Sequence, residues 1–260
     1  MSYDLPAELR VESDGGIRVV VLNRPDHLNA IDQTLHAALA KVWRQLAADQ
    51  DARVVIVTGA GRSFSAGGDL LWIESFLTDT AARDDSIREG AQIIEEMLRF
   101  PLPVITAVNG PAVGLGASIA ALSDIVLIAD TAHLADPHVS VGLAAGDGAA
   151  ALWPLLTPLL RSREFLFTGD PIDARTAVEL GLASRVVAAD DLLAEAHSLA
   201  TKLAGQPTEA LRATKRVVNM FVSQALAGPV QAGFAAELTT MQSDEHRRQL
   251  AALRRRSEVR

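Results

Sequence analysis

The chain has 260 residues, enough to bury the core of a full domain, and its net charge of −8 argues against a general nucleic-acid binder, because neutralising phosphates needs a basic surface. It has no cysteine, which excludes disulfides and thiolate chemistry and fits a reducing cytoplasm. The N-terminal stretch MSYDLPAELRVESDGG has neither a basic nor an apolar signal segment, and no apolar run reaches the roughly 18 residues of a membrane span, so the expectation is a soluble, unexported cytoplasmic protein.

Glu8 to Ser13 and Ile17 to Asn23 flank Asp14-Gly15-Gly16 and read as a β-hairpin, which Arg24-Pro25 stops. From Ile31 to Asp49, apolar residues at Ile31, Leu35, Ala38, Leu39, Val42, Trp43 and Leu46 have the spacing of an amphipathic helix packed on a sheet. A buried strand follows from Arg53 and closes at Thr58-Gly59-Ala60-Gly61. The next stretch, SFSAGGDLL at 63–71, pairs two glycines that allow a sharp backbone turn with Asp69, suited to cap a helix through Leu70 to Ile73. The charged stretch 79–89 reads as a connection, either a simple surface loop or a loop that helps shape a pocket, with helical periodicity recovering from Ile87 to Phe100.

A second apolar strand, Leu102 to Val108, empties into NGPAVGLGAS at 109–118, again a glycine loop before a helix start. Two backbone N–H groups aimed from such loops at one carbonyl oxygen stabilise the charge that develops there. Val139 to Val141 reads as a short strand leading to the glycines at 142, 146 and 148. After Gly148 the pattern turns helical, with Trp153 to Leu160 interrupted by Pro154 and Pro158, then helices at 173–180, 190–203, 208–225 and 230–253. The terminal Arg247, Arg248, Arg254, Arg255 and Arg256 read as a solvated helix end. No His/Cys/Asp/Glu pattern with metal-ligand spacing stands out, so no metal is expected.

These blocks together resemble the enoyl-CoA hydratase/isomerase (crotonase) superfamily: NRPDHLNAI at 23–31, TGAGRSFSAGGDL at 58–70, PVITAVNGPAVGLG at 103–116, SDIVLIAD at 123–130, VGLAAGDGAA at 141–150 and FTGDPIDARTAVELGLASRVV at 167–187. The resemblance covers nearly the whole chain. It implies an α/β fold, a ββα spiral core over 1–188 holding the acyl-CoA site, followed by a helical C-terminal trimerisation region over 189–260, with a homotrimer or a hexamer as the assembly. Coenzyme A would enter as part of the substrate, with no separate cofactor and no nucleic-acid or membrane partner.

Residue by residue, the resemblance puts the oxyanion N–H groups on Gly68 and Leu115, the latter where relatives commonly have glycine. Substrate and coenzyme A contacts would come from His27, Leu28, Ala30, Ala66, Gly67, Gly68, Asp69, Leu70, Gly114, Leu115 and Ser118. The two glutamates with which hydratases of this superfamily activate water and protonate carbon are replaced by Ser118 and His138, which puts simple hydratase chemistry in doubt. His138, expected near its ordinary pKa of about 6.5, and an ionised Asp147 are the candidate catalytic pair. His133, Asp136 and Asp130 read as structural, and His27, His36, His197 and His246 do not converge. Two other readings are a Clp-protease-like serine hydrolase built on Ser118 and His138, and a catalytically silent scaffold.

Overall fold

The computed structural model describes residues 3–258, with side chains through residue 255, so Arg256 of the terminal basic cluster lies outside the described side chains. Strands β1 (Leu9–Asp14) and β2 (Ile17–Leu22) form the expected antiparallel hairpin, turning at Gly15 with φ +54°. From β2 onward the sheet is parallel: β2 pairs with β3 (Val54–Gly59), β3 with β4 (Val104–Val108), β4 with β6 (Ile125–Ala129) and β6 with β9 (Arg185–Val187). Every residue of β2, β3 and β4 is buried, which is why these strands, Arg18 apart, read as near-continuous apolar runs rather than alternating ones.

A second, smaller sheet orders β5 (Ala112–Val113), β7 (His133–Ala135) and β8 (Ile172–Asp173). Single bridges Ser65–Ala112 and Ile31–Gly68 extend this row, so the two glycine loops are tied to one another by backbone pairing. Helix α1 (Gln33–Ala48) starts where the Asp32 carboxylate accepts from the Leu35 N–H at 2.9 Å, and it buries Leu35, Leu39, Val42, Trp43 and Leu46. Among the described residues, no helix is long and apolar enough to cross a membrane.

Four local expectations are corrected. Residues 79–89 are not a loop: α3 (Thr80–Arg99) is continuous, capped by Asp79, and buries Ala82, Ser86, Gly90, Ile93, Ile94 and Met97 while Asp84, Arg88, Glu95 and Arg99 face outward. The charges disguised a helix that no proline interrupts. Residues 139–141 belong to a 3-10 turn, His138–Val141, not a strand. Of the two prolines expected to interrupt the helical stretch, Pro158 does so, between α5 (Ala149–Leu156) and α6 (Leu159–Thr168), whereas Pro154 lies inside α5. Finally, α9 (Thr208–Met241) runs straight through Pro229, and the break falls later, where Ser243 Oγ accepts from the His246 N–H at 3.1 Å near the start of α10 (Asp244–Glu258). An interior proline costs about 3 kcal/mol, and buried Leu226 and Phe234 on either side offset it by packing.

The helices after residue 188 share the core. Helix α8 (Leu192–Ala204) lies against β3, β4 and β6, and α9 packs on α3 and α5.

At the outer end of α1, Arg18 Nε donates to Asp49 Oδ2 at 2.7 Å, both side chains are almost fully buried, and Tyr3 Oη also donates to Asp49. The Arg18 hydrogen bond holds the Asp49 carboxyl well below the usual carboxylate range. This contribution to stability is therefore complete above the unfolded carboxylate value near ~3.9 and is lost only as pH falls through the lower folded value. Arg18→Ala leaves a buried carboxylate without its cation and is expected to cost about 3–5 kcal/mol in urea unfolding at pH 7. A loss under ~1 kcal/mol contradicts this account of the pair.

Candidate active site

Strand β3 ends at Gly59, and the chain returns through 63–69 to the second sheet. Ile31 donates to Gly67 O at 2.8 Å and accepts from the Asp69 N–H at 2.9 Å, which fixes the turn at Gly67, where φ is +90°. Gly68 sits between those bonds, and its own N–H meets no backbone acceptor among the described residues. Asp69 caps α2 (Leu70–Ser75), accepting from the Leu71 N–H at 3.0 Å, and Arg24 Nη1 holds its other oxygen at 3.2 Å.

The second loop turns at Gly114, φ +54°, whose N–H donates to Ala135 O at 2.9 Å. Leu115 is the first residue of α4 (Leu115–Leu122), so its N–H is one of the free donors at a helix start. It has no backbone acceptor among the described residues. A Cβ placed on Gly114 would stand 3.4 Å from His138 Cε1, 3.9 Å from Asp147 Oδ2 and 4.0 Å from Gly67 Cα. Both glycine loops, the imidazole and the carboxylate therefore surround one point.

His138 opens the 3-10 turn after β7. Its Nδ1 lies 2.7 Å from Asp136 Oδ1 and its Nε2 lies 3.5 Å from Asp147 Oδ2, while Ser118 Oγ donates to the other Asp147 oxygen at 3.3 Å. Burial disfavours a charged imidazole, yet the adjacent Asp136 and Asp147 carboxylates outweigh it and hold His138 well above its ordinary value. The two carboxylates thus favour the imidazolium form, where the sequence reading expected an imidazole near its ordinary value. Burial raises Asp147 to about 6, with the His138 charge pulling the other way. Asp136, read from the sequence as structural, is 1% exposed and fixes the imidazole through Nδ1.

A fourth group comes from α9. Glu237 is 6% exposed, and its Oε2 has no hydrogen-bond partner among the described residues. Gly146 makes room for it, since a Cβ there would stand 2.7 Å from Glu237 Oε2. Burial raises Glu237 to about 8, with His138 opposing and Asp147 and Asp136 adding to the rise, so it carries its proton at neutral pH. The sequence reading missed Glu237. The available signal was a carboxylate on the buried stripe Phe234, Glu237, Met241, at helical spacing.

These groups face a cavity of about 240 Å³ whose other walls are mainly apolar, among them Ile31, Trp72, Phe76, Leu143, Phe234 and Met241. Ala66, Gly67, Gly68, Leu70, Gly114, Leu115, His138 and Asp147 all line it. His27, Leu28, Ala30 and Asp69 do not: His27 is exposed in the 3-10 turn Pro25–His27, while Leu28 O and Ala30 O accept from the Ala66 N–H and Arg24 Nη1. Ser118 is fully buried behind Asp147 and makes no bond to His138, so the serine-nucleophile reading lacks its geometry. His36, expected to lie apart, does line the cavity. Asp136, His138 and Asp147 each offer an atom within 4.8 Å of the others, a spacing compatible with a metal ion; the Asp136–Nδ1 hydrogen bond accounts for the same clustering without one.

Residues 12–257 match the family model described as enoyl-CoA hydratase/isomerase. A solved enoyl-CoA hydratase/isomerase from Mycobacterium paratuberculosis is 45% identical with TM-score 0.93, covering 96% of this chain and 100% of that one. The 1,2-epoxyphenylacetyl-CoA isomerase of Escherichia coli K12 is 34% identical over 78% of this chain and 79% of its own length. A β-diketone hydrolase from Anabaena, solved with (S)-3-oxocyclohexyl acetic acid, is 30% identical with TM-score 0.84, covering 91% of this chain and 94% of that one. With its fold, its paired glycine loops and a family match running almost end to end, the chain belongs to the enoyl-CoA hydratase/isomerase family.

Proposed function

We propose that this protein is an acyl-CoA-processing enzyme that binds a thioester carbonyl between the N–H groups of Gly68 and Leu115 and moves a proton at the adjacent carbon. The observation that supports this most is the meeting of both loops with His138 and Asp147 within 4.0 Å of one point. The protonation pattern assigns the roles. Asp147, ionised above about 6, is the base; the His138 imidazolium steadies it; and Glu237, protonated below about 8, is the acid. Asp136 holds the imidazole by its remote nitrogen.

With Ser118 and His138 in place of two glutamates, a base and an acid remain, but not the hydratase pair. Proton shuttling, as in double-bond isomerisation, suits this set better than water addition. The exposed apolar side chains of Val217, Val218, Met220 and Phe221 on α9 support association through that face, in line with the trimer or hexamer expected from the resemblance.

A second reading is favoured by the buried, protonated Glu237 and by the likeness to the β-diketone hydrolase. Asp147 would take a proton from water as its oxygen adds to one carbonyl held by Gly68 and Leu115. The carbon–carbon bond then breaks, its electron pair passes to the carbon beside the second carbonyl as an enolate, and Glu237 protonates that carbon. The products are a carboxylic acid and a ketone, joined in a single keto acid when the diketone is cyclic.

Gly68→Pro deletes one oxyanion donor and is expected to lower kcat by about 10²–10³-fold in a variant that melts like the parent. Full activity in such a variant contradicts the oxyanion assignment. Comparing purified protein on crotonyl-CoA, a β,γ-enoyl-CoA and a cyclic 1,3-diketone separates the readings. Isomerisation with slow hydration is the expected result, diketone cleavage favours the second reading, and fast hydration of crotonyl-CoA contradicts both.

A further inference from the structure

Away from the Asp147 cluster, the cavity wall carries polar side chains that the chemistry above does not use, His36, Trp72 and Ser86. His36, on α1, is 5% exposed and lines the cavity. Its Nδ1 lies 2.9 Å from Glu89 Oε2 on α3, and its ring leans on Trp72 with centroids 4.9 Å apart. Two elements and an aromatic neighbour thus fix the orientation of the imidazole. With Nδ1 held by a carboxylate, Nε2 is the nitrogen left for a ligand, and no hydrogen bond from it is recorded among the described residues. Gly90, inside α3, adds no side chain against it: even a Cβ there would stand 3.9 Å from His36 Nε2. A glycine within a helix costs about 1 kcal/mol relative to alanine, and here it leaves space for Phe234 and for the imidazole edge. His36 and Asp147 line the same cavity of about 240 Å³.

We infer that His36, oriented by Glu89 and Trp72, is a second polar subsite that selects substrates whose acyl or carbon skeleton bears another oxygen function, hydroxyl or keto, away from the carbonyl held by Gly68 and Leu115. The imidazole accepts from a hydroxyl through its Nε2 lone pair, or donates to a keto oxygen when that nitrogen bears a proton. Purely hydrocarbon acyl groups leave this nitrogen without a partner in an apolar cavity, and that loss is the source of the selection.

The inference rests on the carbonyl site proposed above but is read by binding rather than turnover. Octan-2-one, 7-hydroxyoctan-2-one and octane-2,7-dione share a chain length and differ in the far oxygen. Calorimetric titration of the full-length protein is expected to show at least one oxygenated probe binding about tenfold tighter than octan-2-one, and which one identifies the oxygen class. His36→Phe keeps the ring against Trp72 and should abolish that preference. The double variant His36→Phe/Glu89→Leu leaves no buried carboxylate without its partner and should behave alike. Equal binding of all three probes by the parent, or a preference that survives in both variants, overturns the inference. The base is tested separately by Asp147→Asn: a loss of turnover with the probe preference intact supports both readings, and an unchanged turnover removes only the catalytic one.

Discussion

Asp147→Asn is expected to reduce turnover by about 10²–10⁴-fold while leaving substrate binding within a few-fold of the parent, because it removes the base and little else. Asparagine keeps the shape and can still accept from Ser118 Oγ, so the loop from Gly146 to Gly148 should hold its place. His138→Gln should give a loss of similar direction by a different route. Removing the imidazolium takes away the charge that opposes the burial-driven rise of Asp147 and Glu237, so the acidic limb of the rate profile should move to higher pH. Single-turnover kinetics across pH 5–9 check both expectations. Parent-like turnover in Asp147→Asn removes the base assignment.

The second large effect concerns Glu237. The account expects kcat/KM to rise through an apparent pKa near 6, as Asp147 ionises, and to fall near 8, as Glu237 loses its proton. Glu237→Gln should cut the rate by about 100-fold or more and abolish the basic limb. It should also stabilise the fold. Glu237 has a folded pKa near 8, above the ordinary carboxyl value, so its unfavourable burial is absent at low pH and grows as pH rises from the unfolded value toward 8. Glutamine carries no such dependence, and the melting temperature of Glu237→Gln should exceed the parent's by a margin that widens from pH 5 to pH 8. A constant or negative margin means that Glu237 is not a buried neutral acid.

Much of the fold was legible because parallel, doubly buried strands leave continuous apolar runs and glycine loops mark their ends; β3, β4 and the turns at Gly67 and Gly114 are such cases. Helix α3 was hidden where its outward charges outweighed a sparse buried face, and α9 was cut in sequence at Pro229 although packing carries it through. In the site, His138 stands just before the block at 141–150, and Gly68, Leu115 and Asp147 lie in blocks whose order the sequence displays. Glu237 and His36 do not, since each joins the cavity only through tertiary packing of a helix, and the link from Asp136, which reads as structural in the sequence, to the His138 Nδ1 is a feature of the fold alone. The charge state of His138 also depended on knowing that a carboxylate faces each ring nitrogen.

The proposed reaction begins as Asp147 removes a proton from carbon beside a carbonyl held by Gly68 and Leu115. Deuterium uptake answers it directly: octanoyl-CoA incubated with the protein in D2O, with the carbon next to the thioester followed by proton NMR. The account predicts enzyme-dependent exchange at that carbon, at least 100-fold slower in Asp147→Asn. No exchange by the parent, or equal exchange by both proteins, contradicts it.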